Sequence, residues 1–248
     1  MDDCLIFIGI FPSEEMSRQK GGKFNMPNWC DTQYCILGPR KEICSLKKHI
    51  EEFTSKEFSP SDFKEKWLGN IAIGAGLDWE KIPCRGTLDR IDAWYPRNKD
   101  DAELQIDTTS AWSPTEELFF KVAAKYAPHC KVYYLAVEPG VELYMTNDAA
   151  KTVFTEEFYV DSHFATADSD LEKALRNFFG DGLTSWRRDE LGDVLDEIRD
   201  MLFSSKDIDS NDYEIEDLIQ RIERAEESWP EGNFLNFHHV EVNYDEIF

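Results

Sequence analysis

The chain has 248 residues, 42% of them hydrophobic and 13% aromatic, and carries a formal net charge of −23. That length lies between one large domain and two small ones, and that apolar content is ample for a packed core. Charge excludes more than size does: neutralising phosphates with Lys and Arg supplies most non-specific nucleic-acid affinity, so a surface this negative repels DNA, RNA and anionic membranes.

The acid is unevenly spread, with 18 Lys and Arg against 24 Asp and Glu up to residue 150 and 9 against 26 beyond it. A protein partner with a basic surface fits that excess, although surplus acid also serves plain solubility. No run approaches the roughly 18 apolar residues that span a bilayer, since Leu5 to Phe11 is only seven residues long. Asp2 and Asp3 before that run, and Ser13-Glu14-Glu15 after it, are unlike a secretory signal. The expected address is therefore the cytoplasm, with the six cysteines as reduced thiols.

Residues 1–25 read as an N-terminal arm, and Met26 offers an alternative translation start. Within "MPNWCDTQYCILG", Thr32 to Leu37 is β-branched and aromatic and is stopped by Gly38-Pro39, which predicts a short strand. Ile43, Leu46, Lys47, Ile50 and Phe53 then form one stripe of a helix. From Thr54 to Gly86 the pattern is broken by Pro60, Gly69, Gly74, Gly76 and Pro83, and it reads as a structured connection. Thr87 to Trp94 and Glu103 to Thr109 form a hairpin around "YPRNKDDA".

The strongest local signal is "AWSPTEELFFKVAAKY", with Ser113 as N-cap, Pro114 in the first helical position and Glu116 as the capping-box partner. "KVYYLAVEPGVELYMTNDAAKTVFTEEFYV" predicts three further strands in a meander, with a type II turn at Pro139-Gly140. Beyond Asp161 the period turns helical. Leu191, Val194, Leu195, Ile198, Met201 and Leu202 form one stripe, and Ile215, Leu218, Ile219, Ile222, Ala225 and Trp229 form a second. They predict an acidic helical hairpin, followed by an edge strand in "FHHVEVNYDEIF".

The expected class is α+β: a ferredoxin-like β-α-β-β-α-β sandwich over residues 26–162 with an added antiparallel meander, then an acidic helical region over 163–248. Four motifs in order, "MPNWCDTQYCILG", "CRGTLDRIDAW", "LQIDTTSAWSP" and "YLAVEPG", resemble the YubB-type ferredoxin-like proteins of plasmids and phages, over about residues 26–161. The resemblance implies a domain carried by bacterial mobile elements. It transfers no catalytic residue.

Cys30 and Cys35 have no second cysteine pair to complete a zinc site, and their odd offset in a strand points them to opposite faces. His238 and His239 diverge for the same reason. Glycines 69, 74 and 76 match no phosphate loop. No metal and no cofactor is expected.

Asp92 and Asp107 are the carboxylate pair that adjacent strands could converge, whereas Asp89 and Asp92, three apart, belong on opposite faces of a regular strand. Trp94 and Trp112 are the aromatics available to a ligand, with Trp112 expected to staple the helix that follows it. Asp193, Asp196, Glu197, Asp200, Glu216, Glu223 and Glu227 form the expected acidic interaction surface.

The favoured function is a non-enzymatic protein-interaction module, an accessory of a mobile element, in its sharper form an acidic DNA mimic inhibiting a host defence or DNA-binding protein. The rival is a small-molecule or nucleotide pocket, hydrolytic in one form, near Asp92 and Asp107 under the connection of residues 67–86.

Overall fold

A computed structural model describes residues 28–55, 66–97, 100–163, 170–202, 215–226 and 235–244. It is mixed α and β, with nine strands in two sheets and six helices among those residues. The expected N-terminal arm lies outside them. No helix among them is long and apolar enough to cross a membrane.

The first sheet has six strands. β1 (Trp29–Pro39) is its spine, pairing antiparallel with β3 (Asp101–Ala111) on one side and β4 (Lys131–Glu138) on the other. β2 (Gly86–Trp94) flanks β3, β5 (Leu143–Thr146) flanks β4, and the order is completed by β9 (Glu241–Val242), parallel to β5. Two helices, α1 (Arg40–Thr54) and α3 (Glu116–Tyr126), cover one face, and their inward stripes Ile43, Leu46, Ile50 and Leu118, Phe119, Val122 are buried against Tyr34, Ile36, Leu104 and Ile106. These stripes repeat at three and four residues, so one face of each helix meets the sheet.

Several local expectations are corrected. The connection contains a buried helix, α2 (Leu68–Gly74), with Asn70 N–H returning to the Trp67 carbonyl. Gly69 and Gly74 serve close packing there, since a Cβ would meet the Trp67 and Phe53 rings at 2.2 and 2.3 Å. Helix α3 begins at Glu116 without a side-chain cap; Ser113 instead offers its carbonyl to the Ser110 hydroxyl, and the Thr115 N–H goes to the Tyr34 hydroxyl at 3.0 Å. A tertiary partner replaces the capping box. Pro139-Gly140 forms a 3₁₀ turn rather than a type II turn, because the buried Glu138 carboxylate accepts from the N–H groups of Gly140 and Val141.

The largest correction concerns the meander. Its third strand, β6 (Phe158–Ser162), leaves the first sheet and becomes the centre of a second, in the order β7-β6-β8, with β7 (Gly182–Trp186) and β8 (Leu235–His239) both antiparallel to it. Neither α4 (Asp170–Phe179) nor β7 was legible in the helical periodicity of this region. α4 packs on one face of the second sheet together with α5 (Arg188–Leu202) and α6 (Ile215–Glu226), burying Leu175, Phe179, Leu195, Ile198, Ile219 and Ile222 against Phe158 and Val160. The residues joining α5 to α6 lie outside those described.

The other face of the second sheet meets the first. Tyr159 and Leu183 pack with Phe154 on Cys35, Leu135, Val137 and Tyr144 of the six-stranded sheet. The buried carboxylate of Asp148 holds the intervening loop by accepting from the N–H groups of Thr152, Val153 and Phe154 at 2.9, 2.6 and 3.1 Å. At the chain's end, Asn243 bonds the Thr146 carbonyl and the Tyr134 hydroxyl.

Candidate functional site

The face of the six-stranded sheet away from α1 and α3 is split into two halves. Strand alternation puts Asp31, Gln33, Cys35 and Leu37 of β1 on it, opposite Thr109, Asp107, Gln105 and Glu103 of β3 and Val137, Leu135, Tyr133 and Lys131 of β4. The second sheet covers the β1–β4–β5 half, which is apolar. Among the described residues, none of the second sheet's core reaches the half built from β2, β3 and the start of β1; this half is open, polar, acidic and flanked by tryptophan.

A β-bulge shapes the open half. The β2–β3 register shifts between Leu88 and Arg90, so Leu88 and Ile91 both reach the helix-side core although they stand three apart. Asp89, Arg90, Asp92 and Trp94 therefore share the open face, which corrects the expectation that Asp89 and Asp92 diverge. The signal was present in the apolar residues themselves: two core side chains at an odd offset in one strand require an irregularity between them.

Asp92 and Asp107 do come together, through a cation. Arg90 Nε lies 2.8 Å from Asp107 Oδ2 and 3.9 Å from Asp92 Oδ2. In the next row Thr109 offers its hydroxyl to Asp89 at 2.7 Å and to Asp31 at 3.0 Å, and Thr87 adds a second donor to Asp89 at 3.1 Å. One hydroxyl carries one hydrogen, so Thr109 serves only one carboxylate at a time. Asp31 is exposed, but the water its carboxylate loses among its neighbours outweighs the Thr109 bond and, with Asp89 and Asp107, holds the carboxyl above its ordinary range. Sequence reasoning missed Asp31, Arg90 and Thr109 and set Asp89 aside on strand parity, because the bulge and the β1–β3 register that join them are tertiary facts.

Tryptophans stand at the ends of this surface. Trp94, 61% exposed, ends β2 at one end, and Trp29, 47% exposed, opens β1 at the other. Trp112 does not staple α3: it is 44% exposed at φ 73°, with its N–H on the Asn28 carbonyl, beside Trp29 at the same end of the sheet. Tyr95 turns away to α1, where the Arg40 guanidinium lies 5.3 Å from its ring centre.

The connection of residues 67–86 does not cover Asp92 and Asp107. Trp67, Leu68, Ile71 and Ala72 of that connection belong to the helix-side core, on the opposite face of the sheet. A groove of about 350 Å³ does run along the β2 edge, between Thr54 and Ser55 of α1 and Asp89 and Arg90.

The acidic helices are less free than their sequence implies. Asp193 and Glu197 are exposed on α5. Asp196 is held by Arg199 at 2.9 Å, and Glu216 by Arg188, which also reaches Glu157 at 3.2 Å. Glu223 is half-buried and burial raises its carboxyl. The side chain of Asp200, and Glu227 altogether, fall outside the described residues.

Cys30 and Cys35 are buried on opposite faces, and burial raises both thiols, Cys30 to about 11. His238 stacks on Tyr144, while His239 meets Phe158 edge-on. Among the described residues no three His, Cys, Asp or Glu side chains are placed to hold a metal ion. Comparison of the chain with protein-family models, with curated proteins and with solved structures finds no match.

Proposed function

We propose that this chain is a non-enzymatic protein-interaction module that docks a partner with a basic surface on the open half of its six-stranded sheet. One observation carries the reading: a single sheet face is divided, its apolar half sealed by the second sheet and its acidic half left to solvent with Trp29 and Trp94 exposed at the ends. Exposed tryptophans are ordinary anchors of protein interfaces, and a field of carboxylates steers and selects a cationic partner. The sheet face is preferred to α5 and α6 as the contact surface because Trp29 and Trp94 stand exposed beside its carboxylates, whereas none of the exposed large apolar side chains among the described residues lies on α5 or α6.

The order β2-β3-β1-β4, antiparallel throughout with α1 and α3 on one face, supports a ferredoxin-like sandwich with β5 added at one end. Five described cysteines are unpaired, which supports a reducing, cytoplasmic address. The role as an accessory of a mobile element rests on the four sequence motifs.

Capture from extracts of the native host, run in parallel with variants, tests the reading. A protein retained by the wild type and by an Asp193→Asn, Glu197→Gln chain, lost with Trp29→Ala, Trp94→Ala and weakened by salt, is the expected result. Retention by the sheet variant and loss with the helix variant would transfer the docking surface to α5.

A further inference from the structure

We propose that Arg90 is an internal stand-in for an arginine of the partner, so that the Asp107–Asp92 position of the open face is a guanidinium-binding subsite occupied in cis until a docked chain displaces it. This rests on the docking reading above and assigns the chemistry of one contact within it.

Three features converge. First, the bulge at Asp89 is what turns Arg90 onto this face; regular alternation from Leu88 would have sent it toward the helix-side core. Second, the guanidinium sits against the carboxylate of its cross-strand partner, Nε to Oδ2 at 2.8 Å, with Asp92 at 3.9 Å, yet it remains half-exposed. The pair is formed but not enclosed. Third, the neighbouring row holds Asp31 and Asp89 around the neutral hydroxyls of Thr109 and Thr87, and no ion pair to either carboxylate is seen among the described residues. Acid on this half-face therefore exceeds its one arginine, and the surplus favours a second cation arriving from outside.

A guanidinium fits better than an ammonium. Its planar fork matches a carboxylate with two parallel bonds, whereas Arg90 reaches Asp107 through Nε. An incoming arginine that engages both Asp107 oxygens would improve on the internal contact and release Arg90 to solvent. The half-exposed position of Arg90 keeps that exchange inexpensive, since an ion pair in contact with water is worth little.

The test uses the full chain and two probes, penta-arginine and penta-lysine peptides, titrated by fluorescence anisotropy near physiological salt. Arg90→Ala is expected to bind penta-arginine about threefold to fivefold more tightly than the wild type, the value of one relieved, water-exposed ion pair. Arg187→Gln, which removes one positive charge from an exposed residue just before α5, controls for net charge and is expected to change affinity less than twofold. Arg90→Lys should fall between wild type and Arg90→Ala, and Asp107→Asn should lower binding.

Equal gains from Arg90→Ala and Arg187→Gln, or weaker binding by Arg90→Ala, would overturn the stand-in role. If penta-lysine gains as much as penta-arginine, the guanidinium assignment fails while docking of a cation stands. If neither peptide responds to Arg90, Asp107 or Trp94 substitutions, the docking reading fails with it.

Discussion

The two halves of one sheet face follow the same rules of alternation and meet opposite fates. β1 runs through both: Asp31 and Gln33 belong to the open half, Cys35 to the half beneath the second sheet. Across the strands the pattern repeats, from Arg90 and Asp107 on one side to Leu135 and Tyr144 on the other. Removing apolar area from water is the main gain in joining the two sheets, at about 25 cal/mol per Å², and that gain ends where carboxylates would have to be desolvated. The boundary of the second unit is thus drawn by side-chain chemistry on the first.

If that division is real, substitutions in the covered half should act on stability and those in the open half on binding. The largest effect is expected from Leu135→Ala, which empties a buried position under the second sheet and should cost about 3 kcal/mol in chemical denaturation. A loss below about 1 kcal/mol would mean the sheets are not packed there. Asp148→Ala strips the acceptor from three N–H groups of the loop carrying Phe154, for an expected loss of about 2 kcal/mol. Its hydrogen-exchange signature should be confined first to residues 149–154.

A smaller effect, of opposite sign, is expected at Asp31. Its folded-state carboxyl is held above the ordinary value, mainly by partial loss of water around the carboxylate and then by Asp89 and Asp107, so between the unfolded and folded values the folded chain binds the extra proton. Stability contributed there is lost as pH rises through that window, and the penalty is complete above it. Asp31→Asn should therefore raise the melting temperature modestly near pH 7 and leave it unchanged near pH 3; an equal shift at both would exclude an electrostatic cause. Trp94→Ala should be the quietest in stability, within about 0.5 kcal/mol of wild type, while reducing partner binding.

Legibility varied with the range of the interaction. The stripes of α1, α5 and α6 and the strand β3 were readable because each buries one face at a fixed local period, whereas β2 was readable as a turn-bounded run although its bulge breaks the alternation. The short helix α2 was masked by Gly69 and Gly74, which are there for contacts with Trp67 and Phe53 rather than for turns. Ser113 carried the sequence of a cap and was not used as one, since the Tyr34 hydroxyl from a distant strand took the Thr115 N–H. Of the candidate site, Asp92, Asp107 and Trp94 were named in advance. Their partner Arg90 was hidden by a bulge that only the spacing of Leu88 and Ile91 betrayed.

What the amino-acid order alone determined was the set of local faces: which side of each strand and helix is apolar, and that acid gathers toward the C-terminus. Tertiary structure decided how those faces were shared out. It placed β6 with β7 and β8 rather than beside β5, brought β9 back to the first sheet, and left the carboxylates of β2 and β3 uncovered. A period of two or of 3.6 residues is written in near neighbours, whereas the choice of which face covers which is a competition between distant segments for the same apolar surface.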